Sequence, residues 1–334
     1  MVQDKGSESS SSQSQILLAE DLRKSYGPRP ALRGLSFSLE AGRILGFLGP
    51  NGAGKTTAIR ILTTILEPDA GRFIVDGVSS DHPEHIRRRI GVLPESLGFP
   101  KQMTAIEYLT YFGRLYGLTA SDARANSLAL LEEMGLQQRA KSLIGSYSRG
   151  MRQRLGIARA LVHNPAVVFL DEPTLGLDPR GQQELLSLIQ RIARDRNTGV
   201  VLCSHLLAEV ENVCDDVVIL NSGRIVAQGT VAEVIGGTQR NVLRIRVPTP
   251  SVAHAQQVLQ AMPNIAHVTL TGATADWLRV ELADGNGTAG GMDAHIKTRV
   301  LDALIRAEIP IASFEANSGR LQEVFLQLTE ETIQ

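Results

Sequence analysis

One short stretch restricts the fold of this chain more than any other. Residues 49 to 56 read Gly-Pro-Asn-Gly-Ala-Gly-Lys-Thr, which fits the G-x-x-x-x-G-K-[ST] pattern of a phosphate-binding loop. The apolar run before it, residues 43 to 48, predicts a buried strand, and residues 58 to 66 predict a helix that ends before Pro68. In this context of strand, glycine loop and helix, the pattern indicates a nucleoside triphosphate site.

Each residue type in this loop has a chemical reason to be there. The glycines allow a tight turn, so that successive backbone N–H groups can point at one anion. The helix that follows adds the positive end of its dipole. Lys55 brings a full charge for the β- and γ-phosphates, and Thr56 offers a hydroxyl to Mg²⁺. The predicted nucleotide-binding residues here are Gly49, Pro50, Asn51, Gly52, Ala53, Gly54, Lys55, Thr56 and Thr57.

Length, charge and cysteine content narrow the class of protein. The 334 residues are typical of about two domains, and a formal net charge of -1 gives no basic field for nucleic acid. No apolar run approaches the ~18 residues that span a membrane, and the N-terminus has no apolar signal-peptide core. Cys203 and Cys214 form no disulfide framework and fit a reducing cytoplasm. We therefore expect any membrane role to come through a partner chain.

The sequence pattern before residue 150 predicts three regions: a polar tail, a strand-forming part and a helical part. Residues 1 to 15 are rich in Ser, Gln and charge, which predicts a disordered tail. Residues 35 to 39 alternate apolar and polar, which predicts a strand of a small antiparallel sheet. Helical spacing from about 100 to 150 predicts a helical insertion. Its aromatic residues are expected to be mostly core, with some in an exposed apolar patch for a partner: Phe99, Tyr108, Tyr111, Phe112 and Tyr116.

Two further predicted strands end in groups with reactive chemistry. Residues 166 to 170 are continuously apolar, as in a strand buried on both faces of a parallel sheet, and Asp171 and Glu172 follow at the edge where α/β ligand sites lie. Adjacent strand residues point in opposite directions, so one carboxylate is expected to serve a metal and the other a water molecule. A second such strand ends in His205, which can contact phosphate or can be an ordinary surface residue.

Two other positions allow an ordinary interpretation beside a functional one. Tyr26 can stack on a base or simply cover a sheet edge. Ser148 and Gly150 precede a long helical stretch, where they can cap the helix or hold an anion. The residues alone favour the ordinary interpretation at both positions.

Taken together, residues 16 to 236 resemble the nucleotide-binding subunit of an ABC transporter. The fold of that family is an α/β P-loop NTPase with an N-terminal antiparallel β-subdomain and a helical insertion. Its motifs occur in the family's order: the phosphate loop, the signature motif at 148 to 151, the Walker B strand at 167 to 172, the D-loop at 175 to 178 and the switch histidine His205. Tyr26 matches the adenine-stacking aromatic. The resemblance favours functional roles for Tyr26, Ser148 and His205.

The resemblance implies a working arrangement of two chains. Two such domains dimerise head to tail, with each ATP between the phosphate loop of one and the signature motif of the other, here Ser148 and Gly150. Asp171 and Thr56 would hold Mg²⁺, Glu172 would activate water, and His205 would contact the γ-phosphate. Asp178 of the D-loop counts among the expected nucleotide contacts. Because the chain has one phosphate loop and one signature motif, we expect it to pair with a second copy of itself.

Three residues depart from the family pattern. Glu95 stands where Gln is usual, Arg149 where Gly is usual and Met151 where Gln is usual. A carboxylate at position 95 can still reach Mg²⁺ and the attacking water, and its charge can raise a pKa near Glu172. This variant set is similar to the ABC-2 type exporters of drugs, lipids or polysaccharides.

Residues 240 to 334 predict a separate α+β domain without a catalytic cluster. The order is strand 242 to 247, helix 252 to 262, strands 265 to 271 and 277 to 282, helix 294 to 308, strand 309 to 315 and a last helix. That order fits a ferredoxin-like βαββαβ unit followed by a helix. Residues 321 to 329 are similar to the closing segment of the small C-terminal domain of such subunits. Dimer support, regulation or a spacer role all stay open.

The leading hypothesis is an ATPase subunit that energises export through a separate multi-span membrane permease, at the cytoplasmic face of the membrane. The helical region after Glu95 would dock that permease. One alternative is a soluble ABC ATPase of translation or DNA repair, but those proteins usually carry two ATPase units or a long coiled coil. Another is a nucleotide-binding regulator without turnover. No nucleic-acid partner is expected.

Overall fold

The computed structural model describes residues 15–96, 98–239, 242–271, 276–282, 292–316 and 321–330. The strands are β1 Gln15–Tyr26, β2 Arg29–Glu40, β3 Ile44–Leu48, β4 Ala70–Val75, β5 Val78–Ser79, β6 Ile90–Leu93, β7 Val167–Asp171, β8 Gly199–Cys203, β9 Asp216–Asn221, β10 Arg224–Thr230, β11 Val242–Arg246, β12 Ile265–Thr271, β13 Trp277–Leu282 and β14 Ser313–Ala316. The helices are α1 Lys55–Leu62, α2 Pro83–Ile86, α3 Ala105–Leu115, α4 Ala120–Glu133, α5 Arg149–Leu161, α6 Pro179–Asp195, α7 Leu207–Val213, α8 Val231–Gln239, α9 Val252–Gln260, α10 Met292–Arg306 and α11 Leu321–Glu330.

A six-stranded sheet of order β10-β9-β3-β8-β7-β6 forms the centre of the first unit. Strands β9, β3, β8, β7 and β6 run parallel, and only β10 is antiparallel to its neighbour. All residues of β3 and β8 are buried, as expected for strands covered on both faces. The parallel directions bring the ends of β3, β8, β7 and β6 to one edge, where the phosphate loop and the predicted acidic residues follow.

An antiparallel sheet of order β2-β1-β4-β5 packs on the central sheet. The buried positions Leu35, Phe37 and Leu39 of β2 alternate with exposed ones, as the sequence pattern predicts. Phe37 contacts Phe47 of β3 with ring centroids 5.4 Å apart, and Phe47 is fully buried. This ring pair belongs to the apolar core that joins the two sheets.

The helical insertion lies between β6 and β7. α3 begins with a capping box, in which Thr104 accepts from the Glu107 N–H and the Glu107 carboxylate accepts from the Thr104 N–H. Tyr108 is buried and its ring contacts Phe99 and Phe112. Tyr111 and Tyr116, by contrast, are exposed, and Phe99 and Phe112 are partly buried, so fewer of the aromatic residues lie in the core than the sequence predicts.

Strands β9 and β10 form a hairpin, with Ser222 and Gly223 as its two-residue loop. Both residues have positive φ, as the favoured two-residue hairpin turns require. The tip also bonds outside the hairpin, because the Gly223 N–H donates to the Ala53 carbonyl over 3.0 Å and the Arg33 N–H donates to the Gly223 carbonyl over 2.8 Å. The hairpin is thereby tied to the phosphate loop.

The chain divides into two compact units, residues up to 231 with 325 onward, and residues 232 to 324. The second unit has an antiparallel sheet of order β12-β13-β11-β14, with a core that includes Leu243, Ile245, Leu278 and Val300. This is the strand order of a βαββαβ ferredoxin-like unit. The predicted fold class is confirmed in both units.

The helix after the phosphate loop ends at Leu62 and not at residue 66, and two further details differ from the sequence-based expectations or fall outside the structure. The last strand of the second unit begins at Ser313 and not at Ile309, because Pro310 has no N–H to donate to a ladder. The predicted disordered tail, residues 1 to 15, lies outside the described residues except for Gln15, which opens β1. Among the helices that the structure describes, none is long and apolar enough to cross a membrane.

The ring pair between the two sheets gives a stability prediction. Phe47→Ala is expected to lower the free energy of unfolding by about 3–5 kcal/mol, since it leaves a cavity at a fully buried site. Leu115→Ala is the control, because Leu115 is 62% exposed and its truncation should cost less than about 0.5 kcal/mol. Denaturant unfolding followed by circular dichroism measures both. Equal midpoints for the two variants would contradict the assigned core.

Candidate nucleotide-binding site

The phosphate loop is held in its turn by its neighbours. It leaves β3 and enters α1, with Gly54 at the position before the helix and a φ of 108°. A β-carbon at Gly54 would lie 2.6 Å from the Ala31 carbonyl oxygen, so both conformation and space require glycine here. The loop therefore presents the N-terminal N–H groups of α1 to one point, as an anion site needs.

The Lys55 ammonium group folds back over the loop. Its Nζ donates to the carbonyl oxygen of Gly49 and, over 3.2 Å, to that of Pro50. The charge is thus already located above the turn whose N–H groups would surround a phosphate. A ligand phosphate group at this place would meet one full positive charge and a helix N-terminus together.

The predicted acidic residues and the histidine meet the phosphate loop in one cavity of about 850 Å³. That volume is within the range of cofactor-sized sites. Among the lining residues are the ends of four parallel strands and the loops that follow them: Lys55, Thr56, Glu95, Asp171, Glu172 and His205. Residues from four separate stretches of the sequence are therefore brought together at the carboxyl edge of the sheet.

The two carboxylates after β7 have different surroundings. Burial raises the pKa of the Asp171 carboxyl, the Glu95 charge raises it further, and Lys55 and Arg60 lower it. Burial also raises the pKa of the Glu172 carboxyl, against the lowering effect of its hydrogen bond with His205. Asp171 thus responds to the phosphate loop and Glu172 to the histidine, which agrees with separate tasks for the two groups.

Glu172, which follows β7, and His205, which follows the neighbouring strand β8, form a close pair. The Nδ1 atom of His205 lies 2.7 Å from Oε2 of Glu172. Glu172 has a φ of 49°, a left-handed backbone conformation that is uncommon for a residue with a side chain. Such outliers persist where the surrounding structure fixes them, and they are concentrated at functional sites.

Four predicted site residues do not line this cavity: Tyr26, Ser148, Gly150 and Asp178. Tyr26 ends β1 with 51% of its surface exposed. Ser148 is the N-cap of α5 and accepts from the Met151 N–H over 3.3 Å, so the capping interpretation holds within the single chain. Asp178 occupies the N-cap position of α6. These residues are available at the surface of the unit rather than at the phosphate loop.

Glu209 is a residue that the sequence did not single out. It is 7% exposed, and its Oε2 accepts from the hydroxyl groups of Thr174 and Ser204, each over 2.9 Å. Thr174 follows Glu172 and Ser204 precedes His205, so one buried carboxylate joins the loops that carry the close pair. An acid in a short helix gives no pattern that would reveal this contact.

Comparison with known proteins supports one family. The profile of the ABC transporter family matches residues 32–175. The chain is 31% identical to the linearmycin resistance ATP-binding protein LnrL of Bacillus subtilis, over 95% of this chain and 99% of the relative. It is 36% identical to the daunorubicin/doxorubicin resistance ATP-binding protein DrrA of Streptomyces peucetius, over 92% of this chain and 90% of the relative.

A solved structure with a similar fold leads to the same family. It is described as the ATP-binding subunit of an ABC transporter, and it superposes with a TM-score of 0.58 and 32% identity. The alignment covers 66% of this chain and 91% of that chain. The two relatives thus align along more than nine tenths of this chain, and the solved structure along about two thirds of it.

The buried carboxylate of Glu209 gives a testable prediction. Glu209→Ala is expected to lower the free energy of unfolding by about 1–3 kcal/mol, because two hydroxyl groups lose their acceptor in a buried place. Glu209→Gln keeps a carbonyl acceptor and should cost less. Denaturant unfolding of these variants, with the exposed Glu132→Ala as control, measures the difference. A Glu209→Ala protein as stable as the control would show that the two loops are not joined through this group.

Proposed function

Because the chain belongs to the ABC transporter family as an ATP-binding subunit, we propose that it hydrolyses ATP to drive export of a substrate through a separate membrane permease. The observation that carries this proposal is the single cavity that joins the Lys55 ammonium group with the pair of Glu172 and His205. A binding site for phosphate alone would not need a carboxylate and an imidazole in contact beside it.

The residues around Asp171 fit Mg²⁺. Thr56, Asp171 and Glu95 line the same cavity and offer hydroxyl and carboxylate oxygens, the ligands that Mg²⁺ takes. No cluster of three or more His, Cys, Asp or Glu residues with metal-site geometry occurs in the part of the chain that the structure describes, so phosphate oxygens and water would complete the coordination. When bound, the ion would neutralise charge on the phosphates.

The remaining chemistry falls to groups of the chain itself. Lys55 and the loop N–H groups position the β- and γ-phosphates and stabilise the charge that develops on them. Glu172 orients the attacking water and accepts its proton, since its carboxylate faces the cavity beyond the phosphate loop. His205 holds that carboxylate by the 2.7 Å contact and reaches the γ-phosphate from the neighbouring strand.

The complete site requires a second copy of the chain. The signature residues Ser148 and Gly150 lie outside the cavity of their own chain, on the first turn of α5. In a head-to-tail dimer they would reach the γ-phosphate bound by the partner, and Asp178 would lie beside the same interface. Tyr26, with its ring exposed at the end of β1, is free to stack on the adenine. ATP is then both the substrate and the link between the two copies.

The resistance names of the two relatives support a drug-like export substrate. Those proteins are described as linearmycin and daunorubicin/doxorubicin resistance subunits. We place this chain with the ABC-2 type exporters of drugs, lipids or polysaccharides, at the cytoplasmic face of the membrane and held there by its permease. The choice of substrate would be made in the permease, while this subunit supplies the energy.

The exposed end of α3 is the proposed contact with the permease. Tyr111 is 54% exposed and Leu115 is 62% exposed on the same helix, and Tyr116 at its C-cap is also exposed. Neighbouring apolar side chains on a surface are typical of a protein contact. This surface lies on the helical insertion. The insertion follows β6 in the sequence, and Glu95, between β6 and α3, lines the cavity.

Two substitutions in the cavity separate binding from hydrolysis. Lys55→Ala is expected to weaken ATP binding at least about tenfold, since a full charge on the phosphates is lost. Glu172→Gln is expected to keep binding, lower kcat at least about a hundredfold and trap an ATP-bound dimer. Nucleotide titration, phosphate release and size-exclusion chromatography with ATP measure these effects. Lys101→Ala and Glu132→Gln are the exposed controls.

Either variant with normal turnover would contradict the assigned site. A wild-type chain that binds ATP without hydrolysing it would instead favour the regulator that was the alternative. Binding of RNA or DNA at physiological salt would favour the soluble ABC ATPase.

The surface on α3 is tested by recovery of the permease. Tyr111→Ser with Leu115→Ser is expected to abolish co-purification of a multi-span membrane protein from gentle detergent extracts and to leave ATP binding by the isolated chain unchanged. Ile305→Ser is the matched control, because Ile305 is 64% exposed on α10 of the other unit. Undiminished recovery with the double variant would remove α3 from the interface.

A further inference from the structure

Arg149 lies directly against Gly176 of the D-loop, residues 175 to 178. A β-carbon built on Gly176 would come within 2.6 Å of Nη1 and 2.8 Å of Nε of Arg149, so the guanidinium occupies the space that a side chain at 176 would need. Gly176 also has a φ of 72°, in the left-handed region. The loop is therefore shaped to accept this guanidinium, which stands where the family signature usually has glycine.

The D-loop runs along the first turn of α5. Leu177 Cδ2 would lie 3.7 Å from a β-carbon on Gly150, an ordinary packing distance. Arg149 and Leu177 thus hold the D-loop and the signature turn together from two adjacent points. Both contacts lie within the first unit.

The same loop continues from Glu172. The Leu175 N–H donates to the Glu172 carbonyl over 3.2 Å, and the Leu177 N–H donates to the Thr174 carbonyl over 3.1 Å. A shift of the D-loop would therefore change the backbone of Glu172, whose left-handed conformation depends on its surroundings. Arg149 does not line the nucleotide cavity of its own chain, so its effect would reach that site through the loop.

Arg149 also lines a small cavity that an acidic residue shares. Arg149 and Glu95 line one small cavity of about 210 Å³, together with Ser96, Arg152 and Gln153. Two of the three departures from the family pattern therefore line a common space, and Glu95 also lines the nucleotide cavity. A planar guanidinium can cover a backbone and face a carboxylate at once, which an ammonium group cannot do equally well.

We propose that Arg149 is a positioning residue for ATP hydrolysis, whose guanidinium packs on Gly176 and fixes the D-loop, and through it Glu172, against the signature turn. This role rests on the proposed function of Glu172. The proposal thus gives a role to the Arg149 side chain, at a position where the family usually has glycine and therefore no side chain.

A double-mutant cycle on the full chain tests the contact. Arg149→Gly and Gly176→Ala are each expected to lower kcat for ATP about 3- to 10-fold, because each removes the guanidinium from the D-loop. In the double variant, Gly176→Ala should add at most about a twofold loss, since no guanidinium remains to be displaced and only backbone strain is left. KM for ATP should stay within about twofold, because Arg149 does not line the cavity of its own chain and because Ser148 and Gly150, the proposed contacts with the partner's ATP, are unchanged.

Two further measurements distinguish packing from charge and from general damage. Arg149→Lys is expected to match Arg149→Gly in kcat, because an ammonium group does not cover Gly176. Hydrogen exchange should become faster at the amides of Leu175 and Leu177 in Arg149→Gly and stay unchanged in α9, which belongs to the other unit. The exchange result does not depend on turnover, so it stands even if Gly176→Ala fails to fold.

Multiplicative losses in the double variant, full activity of Arg149→Lys, or unchanged exchange at Leu175 and Leu177 would each overturn the proposal. Failure of the proposed function would look different. In that case the wild-type chain itself would lack turnover, or Glu172→Gln would leave turnover normal, whatever the state of Arg149.

Discussion

The parallel direction of β3, β8, β7 and β6 is the constraint on which the nucleotide site depends. Each strand is short and buried, and each ends at the same edge, so the groups that follow are placed within one cavity without any long side chain having to reach across the sheet. The phosphate loop, the acidic pair, the histidine and Glu95 are all far apart in the sequence. Apolar burial along the strands thus supplies the precision that catalysis needs at their ends.

The loops that follow the strands at that edge are held by side-chain contacts of their own. Buried Glu209 joins the loop after Glu172 to the loop before His205, and Arg149 covers the D-loop that continues from Glu172. These contacts come from two different helices, α7 and α5. If Glu172 and Arg149 have the proposed roles, the position of the Glu172 carboxylate depends on the signature helix α5 as well as on the sheet. A displacement of α7 or α5 would then also displace the Glu172 carboxylate, the group proposed to activate water.

Local pattern was sufficient for the parts of the site that follow buried strands. The phosphate loop, Asp171 and Glu172 could be predicted because each follows an apolar run. Glu209 could not, since its partner Thr174 is 35 residues away and nothing in a short helix marks a buried acid. Likewise, the packing of Arg149 on Gly176 depends on how two loops meet. The start of β14 was misplaced because the apolar run outweighed Pro310.

The hairpin tip at Ser222 and Gly223 also limits how the chain can be altered. Exposed two-residue turns are ordinarily good places for inserted peptides or fused domains, because little else depends on them. This turn bonds in two directions, to Ala53 in the phosphate loop and to Arg33 in the antiparallel sheet. An insertion here would separate the β-subdomain from the loop that it flanks. Other turns of this subunit, without such bonds to the phosphate loop, are therefore better places for inserted peptides or fused domains.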